Sequence, residues 1–243
     1  MKRTITDKLL PLTLILCLIA MFSQACIYTG HGIKGNGKLI WQTRNVGDFS
    51  KLSIGSAFKV YIKQGSATEL KIEAEENLME HISTKVSGGT LEISSDGISA
   101  TKSMTIYLTY VNVDDIRLSG AVCMESASAL NFENIAFDFS GASEADLDLT
   151  AKEMTGDISG ASHVKLAGKA QKVHFDISGA ANFEGMKLDV ATFELEASGA
   201  AKAEVNATEN LNISASGAAS VRYSGNARVT QNSSGAANIS KRD

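Results

Sequence analysis

The chain has 243 residues, 44% of them hydrophobic and 21% charged, which is apolar material for a large folded domain and too much for a disordered one. A single proline beside 21 glycines points away from ordinary mixed folds and toward a regular array with tight, repeated corners. The formal net charge of −4 provides no basic footprint, so no nucleic-acid partner is expected.

In chain order the first element is an export signal over residues 1–25. Lys2, Arg3 and Lys8 precede an apolar run over residues 9–22, which ends in the small-residue stretch Ser23-Gln24-Ala25-Cys26. The run holds 14 residues, short of the roughly 20 that a membrane span needs. Cys26, directly after a small residue, resembles the cysteine of the bacterial lipobox, whose thiol is acylated and becomes the mature N-terminus. Ser23 stands where that motif usually has an aliphatic residue, so the plainer alternative is cleavage after Ala25 that leaves a free thiol. Acyl chains on Cys26 would hold the protein on a membrane, since each buried CH₂ contributes about 0.8 kcal/mol. Cys17 leaves with the signal and Cys26 is modified, so Cys123 has no internal partner and no disulfide framework forms. Residues 26–46, with Gly30, Gly32 and Gly35, are expected to be the lipidated cysteine and a flexible tether. No acidic run follows the cysteine, so the periplasmic and cell-surface faces of the outer membrane both stay open.

The next section, residues 47–115, alternates strongly at Phe58-Val60-Ile62, Leu70-Ile72-Ala74, Leu91-Ile93 and Met104-Ile106-Leu108, with Gly-rich or polar turns between. It reads as β, interrupted by one short helix near residues 75–83. We expect these less regular strands to cover the N-terminal end of the array that follows, because an open end would expose sheet edges.

From residue 116 to 243 the chain is a repeat. Ser-Gly-Ala begins at Ser119, Ser140, Ser159, Ser178, Ser198, Ser216 and Ser234, at intervals of 21, 19, 19, 20, 18 and 18 residues. A period near 19 is too short for helical hairpin repeats and suits one coil of a β-solenoid. Aligned on the marker, the residue before each Ser is Leu118, Phe139, Ile158, Ile177, Ala197, Ala215 or Ser233, and the residue three before is Ile116, Phe137, Gly156, Phe175, Leu195, Ile213 or Gln231. Both are inward columns, and the position between them is polar, so the strand alternates with period two. A second strand follows each marker, with Met124, Ala145, Val164, Phe183, Ala203, Val221 and Ile239 facing inward. The corner glycines Gly120, Gly141, Gly160, Gly179, Gly199, Gly217 and Gly235 are expected to stack, each corner small enough to lie about 4.8 Å from the next. The reading is thus an all-β fold, a β-solenoid of stacked ~19-residue Ser-Gly-Ala coils with a less regular N-terminal β section, and residues 47–243 form a single domain.

Chemistry is sparse along these coils. Successive markers lie no more than 21 residues apart, which leaves no loop to build a cleft wall. His31, His81, His163 and His174 show no metal spacing, and the recurrence of the marker serines argues for corner packing rather than nucleophilic attack. No catalytic residue, metal site or cofactor is assigned. The one outward feature placed by position is an acidic ladder, Asp138, Asp157, Asp176 and Glu196, predicted one above another. Such carboxylates suit Ca²⁺ or a cationic surface. The plainer alternative is a solvated face that keeps a regular β surface from stacking. A second outward column, Glu144, His163, Asn182 and Lys202, repeats once per coil and could meet a repeating polymer through many weak contacts.

A lipoprotein-type start, the β-rich Phe49-Ser50-Lys51-Leu52 and the repeated Ser-Gly-Ala coils together resemble the putative auto-transporter adhesin, head GIN domain family of Bacteroidetes, over roughly residues 47–243. The resemblance implies a solenoid-like envelope protein with no catalytic residues to carry over. The expected function is a non-catalytic binding or adhesion module on an outer-membrane lipoprotein, meeting an envelope or host glycan or protein. The alternatives are a self-associating structural envelope protein and, further off, a polysaccharide-active enzyme with a small site in residues 47–115.

Overall fold

In the computed structural model, which describes residues 32–242, the seven marker glycines form one column, each with φ between 71° and 84°. That backbone region strongly favours glycine. The column also leaves no room for a side chain. A Cβ on Gly179 would lie 2.8 Å from the Gly160 carbonyl oxygen, and one on Gly160 would lie 2.5 Å from that of Gly141. The corners are instead bonded to one another, each marker alanine from Ala142 onward donating its N–H to the glycine carbonyl one coil back, as Ala180 does to Gly160 and Ala200 to Gly179, both at 2.8 Å, while Ala121 donates to the Ser56 carbonyl at 2.7 Å. The signal peptide over residues 1–25 and the lipidation of Cys26 concern positions outside the described residues.

The N-terminal section starts with β1 (Ile33–Lys34) and β2 (Leu39–Arg44). These strands correct the flexible tether expected over residues 26–46. Leu39–Arg44 pairs antiparallel, residue for residue, with Leu70–Glu75. The segment is held at Gly37, whose N–H donates to Glu75 Oε1 at 2.6 Å. Four short strands then lead to the next turn: β3 (Lys51–Ile54), β4 (Lys59–Gln64), β5 (Glu69–Glu75) and, after a 3-10 helix at Glu76–His81, β6 (Ile82–Ser87). The helix agrees with the expected one near residues 75–83 and buries Leu78 and Met79. The section ends with β7 (Thr90–Ser95), β8 (Ile98–Ser99) and β9 (Thr105–Tyr110).

Part of this section is itself coiled. β3 pairs parallel with β7, and β4 pairs parallel with β9, so residues 51–64 and 90–110 add turns below the marked ones. The corner of the β3–β4 turn is Gly55-Ser56-Ala57, a permuted marker in which Ser56 takes the left-handed place with φ 71°. Ser56 tolerates its side chain because its hydroxyl bonds the Ser95 backbone, donating to the carbonyl at 2.9 Å and accepting from the N–H at 3.0 Å. Antiparallel strands close this end, β6 along β7, β5 along β9, and β2 along β5.

Above the β3–β4 turn lie β10 (Asp115–Leu118) and β11 (Cys123–Ser126), which pair parallel with β3 and β4 respectively. The chain therefore visits the β3–β4 level, drops to β7–β9, and returns to stack on the opposite side of β3–β4. Long bent strands follow in order: β12 (Leu130–Phe139), β13 (Glu144–Ile158), β14 (His163–Ile177), β15 (Asn182–Ala197) and β16 (Lys202–Ala215). Each is parallel to the next, with Ile116, Phe137, Gly156, Phe175, Leu195, Ile213 and Gln231 in a single column, as expected from the marker alignment. Within each strand the buried positions alternate, then skip one phase at a bend, as between Ala151 and Met154. The last turn consists of β17 (Ser220–Ser224), β18 (Arg228–Ser233) and β19 (Asn238–Lys241). The fold is a β-solenoid of about 7 stacked turns with an irregular N-terminal region. No helix among the described residues is long and apolar enough to cross a membrane.

Candidate functional site

Three outward surfaces carry the chemistry. On the strand before each corner, the parallel register stacks Arg117, Asp138, Asp157, Asp176, Glu196, Ser214 and Asn232 in one column. The acidic ladder is thus a geometric column with a cation at one end and neutral residues at the other. Two positions earlier runs a parallel column in which Asp115, Thr155, His174 and Glu194 stand at intervals. Charge is compensated sideways: the Arg117 guanidinium donates to Asp115 at 2.9 and 2.7 Å, and that carboxylate pushes Arg117 further toward its protonated form. His174 lies 3.2 Å from Glu194 and 3.9 Å from Asp176. Two shallow grooves follow the ladder, one of about 390 Å³ past Asp176, Glu196 and the serines of four corners, another of about 220 Å³ past Arg117, Asp138 and Asp157. Among the described residues no group of three or more His, Cys, Asp or Glu side chains gathers closely enough to hold a metal ion. In-register side chains on neighbouring strands stand about 4.8 Å apart in parallel rows, which does not bring three ligands onto one point.

The strand after each corner has a different character. Glu144, His163, Asn182 and Lys202 share one column, and Glu125, Asp146, Lys165, Glu184, Glu204 and Arg222 share the next. Ion pairs link consecutive coils, Lys165 to Asp146 at 2.5 Å, His163 to Glu184 at 3.0 Å, and Arg222 to Glu204. Cross-strand pairs of opposite sign stabilise a sheet face modestly. Cys123 opens this face half-buried, and burial followed by the Glu144 and Glu125 carboxylates pushes its thiol up, away from the reactive thiolate.

Toward the N-terminal end the same face turns aromatic. Tyr61 pairs with Glu125 on one side and with Tyr107 on the other. The Tyr61 and Tyr107 rings lie 5.2 Å apart between centroids, and Trp41, from β2, lies 5.3 Å from Tyr107. Lys71 of β5 places its ammonium 4.5 Å from the Trp41 ring centroid, and Lys59 sits 4.9 Å from that of Tyr61. Trp41 is 48% exposed and Tyr107 38%. Beside these rings is a groove of about 400 Å³ whose other walls are Lys63, Glu69, Lys71, Leu108, Thr109 and Ala127. Sequence reading passed over this cluster, although it carried a signal: tyrosines occupy the outward positions of Lys59–Gln64 and Thr105–Tyr110, where a solvated strand would place polar residues.

Among solved structures, a putative adhesin from Bacteroides fragilis is 26% identical, with a TM-score of 0.83 over 87% of this chain and 100% of that one. A putative adhesin from Parabacteroides merdae shares the fold at 17% identity and a TM-score of 0.72, covering 88% of this chain and 100% of its own. A protein from Parabacteroides distasonis described as a putative lipid binding protein also shares it, at 18% identity and a TM-score of 0.68, covering 87% of this chain and 99% of its own. No curated protein matches the chain. The family described as putative auto-transporter adhesin, head GIN domain, matches residues 48–227, and the chain belongs to that family.

Proposed function

We propose that this is an outer-membrane lipoprotein, tethered through Cys26, whose solenoid works as a non-catalytic adhesion module on an envelope or host partner. One observation carries the reading. Two strand faces run in register from coil to coil with no insertion at any marked corner, and they offer repeated side chains to an extended partner where an enzyme would need a closed cleft. Membership of a family named for adhesins agrees with it.

The test has two arms. Cys26→Ala should move the protein from the membrane fraction to the soluble fraction, and unchanged membrane association sinks the anchor. The purified solenoid should bind intact cells or an envelope glycan or protein preparation without converting it. Hydrolase or lyase turnover that one point mutation abolishes, with no such binding, replaces the adhesion reading by an enzymatic one.

A second reading is self-association, favoured by the last turn. β18 pairs only with β16 and β19 only with β17 among the described residues, which leaves their outer edges free to meet another chain.

A further inference from the structure

We propose that the groove beside Trp41, Tyr107 and Tyr61 is a glycan subsite, in which apolar C–H faces of sugar rings lie against the aromatic carbon while hydroxyls bond the polar wall. The proposal deepens the adhesion reading and rests on it.

The rings make an exposed, contiguous aromatic strip on a sheet that is otherwise faced with charge. Isolated exposed apolar residues need no explanation, but a contiguous patch rimmed by polar groups marks an interaction site. Trp41 and Tyr107 are two of five large hydrophobic side chains, among the described residues, that are exposed rather than buried or half-buried. With Tyr61, the three rings come from three different strands, β2, β4 and β9, and steps of 5.3 and 5.2 Å between ring centroids set them in a row. That spacing is comparable to the rise per residue of an extended β-linked polysaccharide.

The polar wall decides the ligand class. Thr109 and the tyrosines supply hydroxyls that both donate and accept, Glu69 supplies acceptors, and Lys63 and Lys71 supply donors, the Lys71 ammonium also lying over the Trp41 ring. Lys63 and Glu69 form no ion pair with any described residue, so both are free to bond a ligand. A sugar, apolar on its ring faces and polar on its edges, matches an aromatic wall opposed by mixed donors and acceptors. An acyl chain would need an enclosed apolar cavity, whereas this groove is open and bordered by charge. A single nucleic-acid strand would stack on the rings too, but the chain's net charge of −4 opposes a polyanion.

The experiment titrates the purified domain with neutral and uronic-acid oligosaccharides, following Trp41, the sole tryptophan, by fluorescence, and binding to glycan-coated and intact-cell surfaces. Trp41→Ala and Tyr107→Ser should each weaken glycan binding at least tenfold, and Trp41→Phe should retain part of it. Asp157→Asn on the ladder face should leave it unchanged. Lys63→Glu, at an exposed position that cannot disturb the core, should also weaken it, which guards against a Trp41 variant that fails to fold. If the domain adheres to cells and Trp41→Ala and Lys63→Glu adhere equally well, the subsite is wrong while the adhesion reading survives. If adhesion depends on Trp41 but survives periodate oxidation of the target's sugars, the partner is a protein and the glycan assignment falls. Absence of binding to any surface removes both.

Discussion

At the residue scale, the corner glycines separate two demands that are usually fused. Gly179 has φ 72° and, in addition, a carbonyl oxygen 2.8 Å from the place of a Cβ. Gly88, in the turn between β6 and β7, has φ 57° and nothing within 4 Å of that place. A side chain at either must accept the left-handed backbone, at about 1–2 kcal/mol. Only Gly179→Ala must also push apart two bonded coils, since that carbonyl is the one that accepts from Ala180. Ser56 supports the distinction, because it takes the same φ with a side chain whose hydroxyl bonds the Ser95 backbone. Gly179→Ala should therefore lower Tm clearly more than Gly88→Ala does. Equal shifts in thermal melts would mean that backbone conformation alone selects the glycines and that corner stacking contributes nothing.

At the element scale, legibility followed repetition. The corner-flanking halves of β12 to β16 could be placed residue by residue because each coil repeats the same corner in the same phase, so a single marker reports the register of Ile158, Ile177 and Ala197 alike, whereas the register shifts past Lys165 and Gly185 had no marker. The lower turns lacked that key. Gly55-Ser56-Ala57 permutes the marker, and the β3–β4 level lies between strands that are distant in sequence, Thr90–Ser95 on one side and Asp115–Leu118 on the other. β2 was hidden for another reason: glycines on its N-terminal side suggest a linker, while what docks it is one carboxylate 38 residues beyond Gly37. Glu75 has no exposed surface and accepts from the Thr101 hydroxyl at 2.6 Å, the Thr101 N–H at 2.7 Å, the Gly37 N–H at 2.6 Å and the Lys102 N–H at 3.2 Å. The Thr101 hydroxyl leads these donors in outweighing burial, and they hold the carboxyl down from an ordinary 4.5 to about 2. A carboxylate with a lowered folded-state pKa contributes stability above its unfolded value, and that stability is lost as pH falls through the folded one. The docking of β1 and β2 should thus weaken between pH 4.5 and about 2. Glu75→Gln should melt lower than the parent at pH 7, and the gap should close as pH falls across that window. A gap that stays constant with pH would show that the ionised form of Glu75 has no part in pinning the arm. The aromatic groove depends on the same arm, since Trp41 lies on β2, and so it became visible only once β2 was placed.

At the scale of the whole molecule, the two ends of the stack are unlike. Antiparallel strands cover the N-terminal levels, whereas the other end finishes in a turn whose β18 positions are nearly all exposed and polar, Thr230, Gln231, Asn232 and Ser233 among them. A solenoid stabilises each coil through its neighbours, so its last coil must either be capped or be polar enough to face water. The polar turn over β17 to β19 serves that purpose here. Beneath it, β16 carries Ala203, Val205, Leu211 and Ile213, all buried, and their cover is Val221, Tyr223, Val229 and Gln231 one level up. A chain ending at Ala219 would lose that cover and also free the β16 edge, an apolar column beside unpaired N–H and C=O groups. Such an edge pairs with another chain. The truncated protein should then associate at concentrations where the full chain sediments as a single species, and its oligomers should grow with concentration in sedimentation velocity. If both stay monodisperse across the same range, the final turn is dispensable as a cap, and the polar residues of β18 do not serve to keep the end of the stack from pairing.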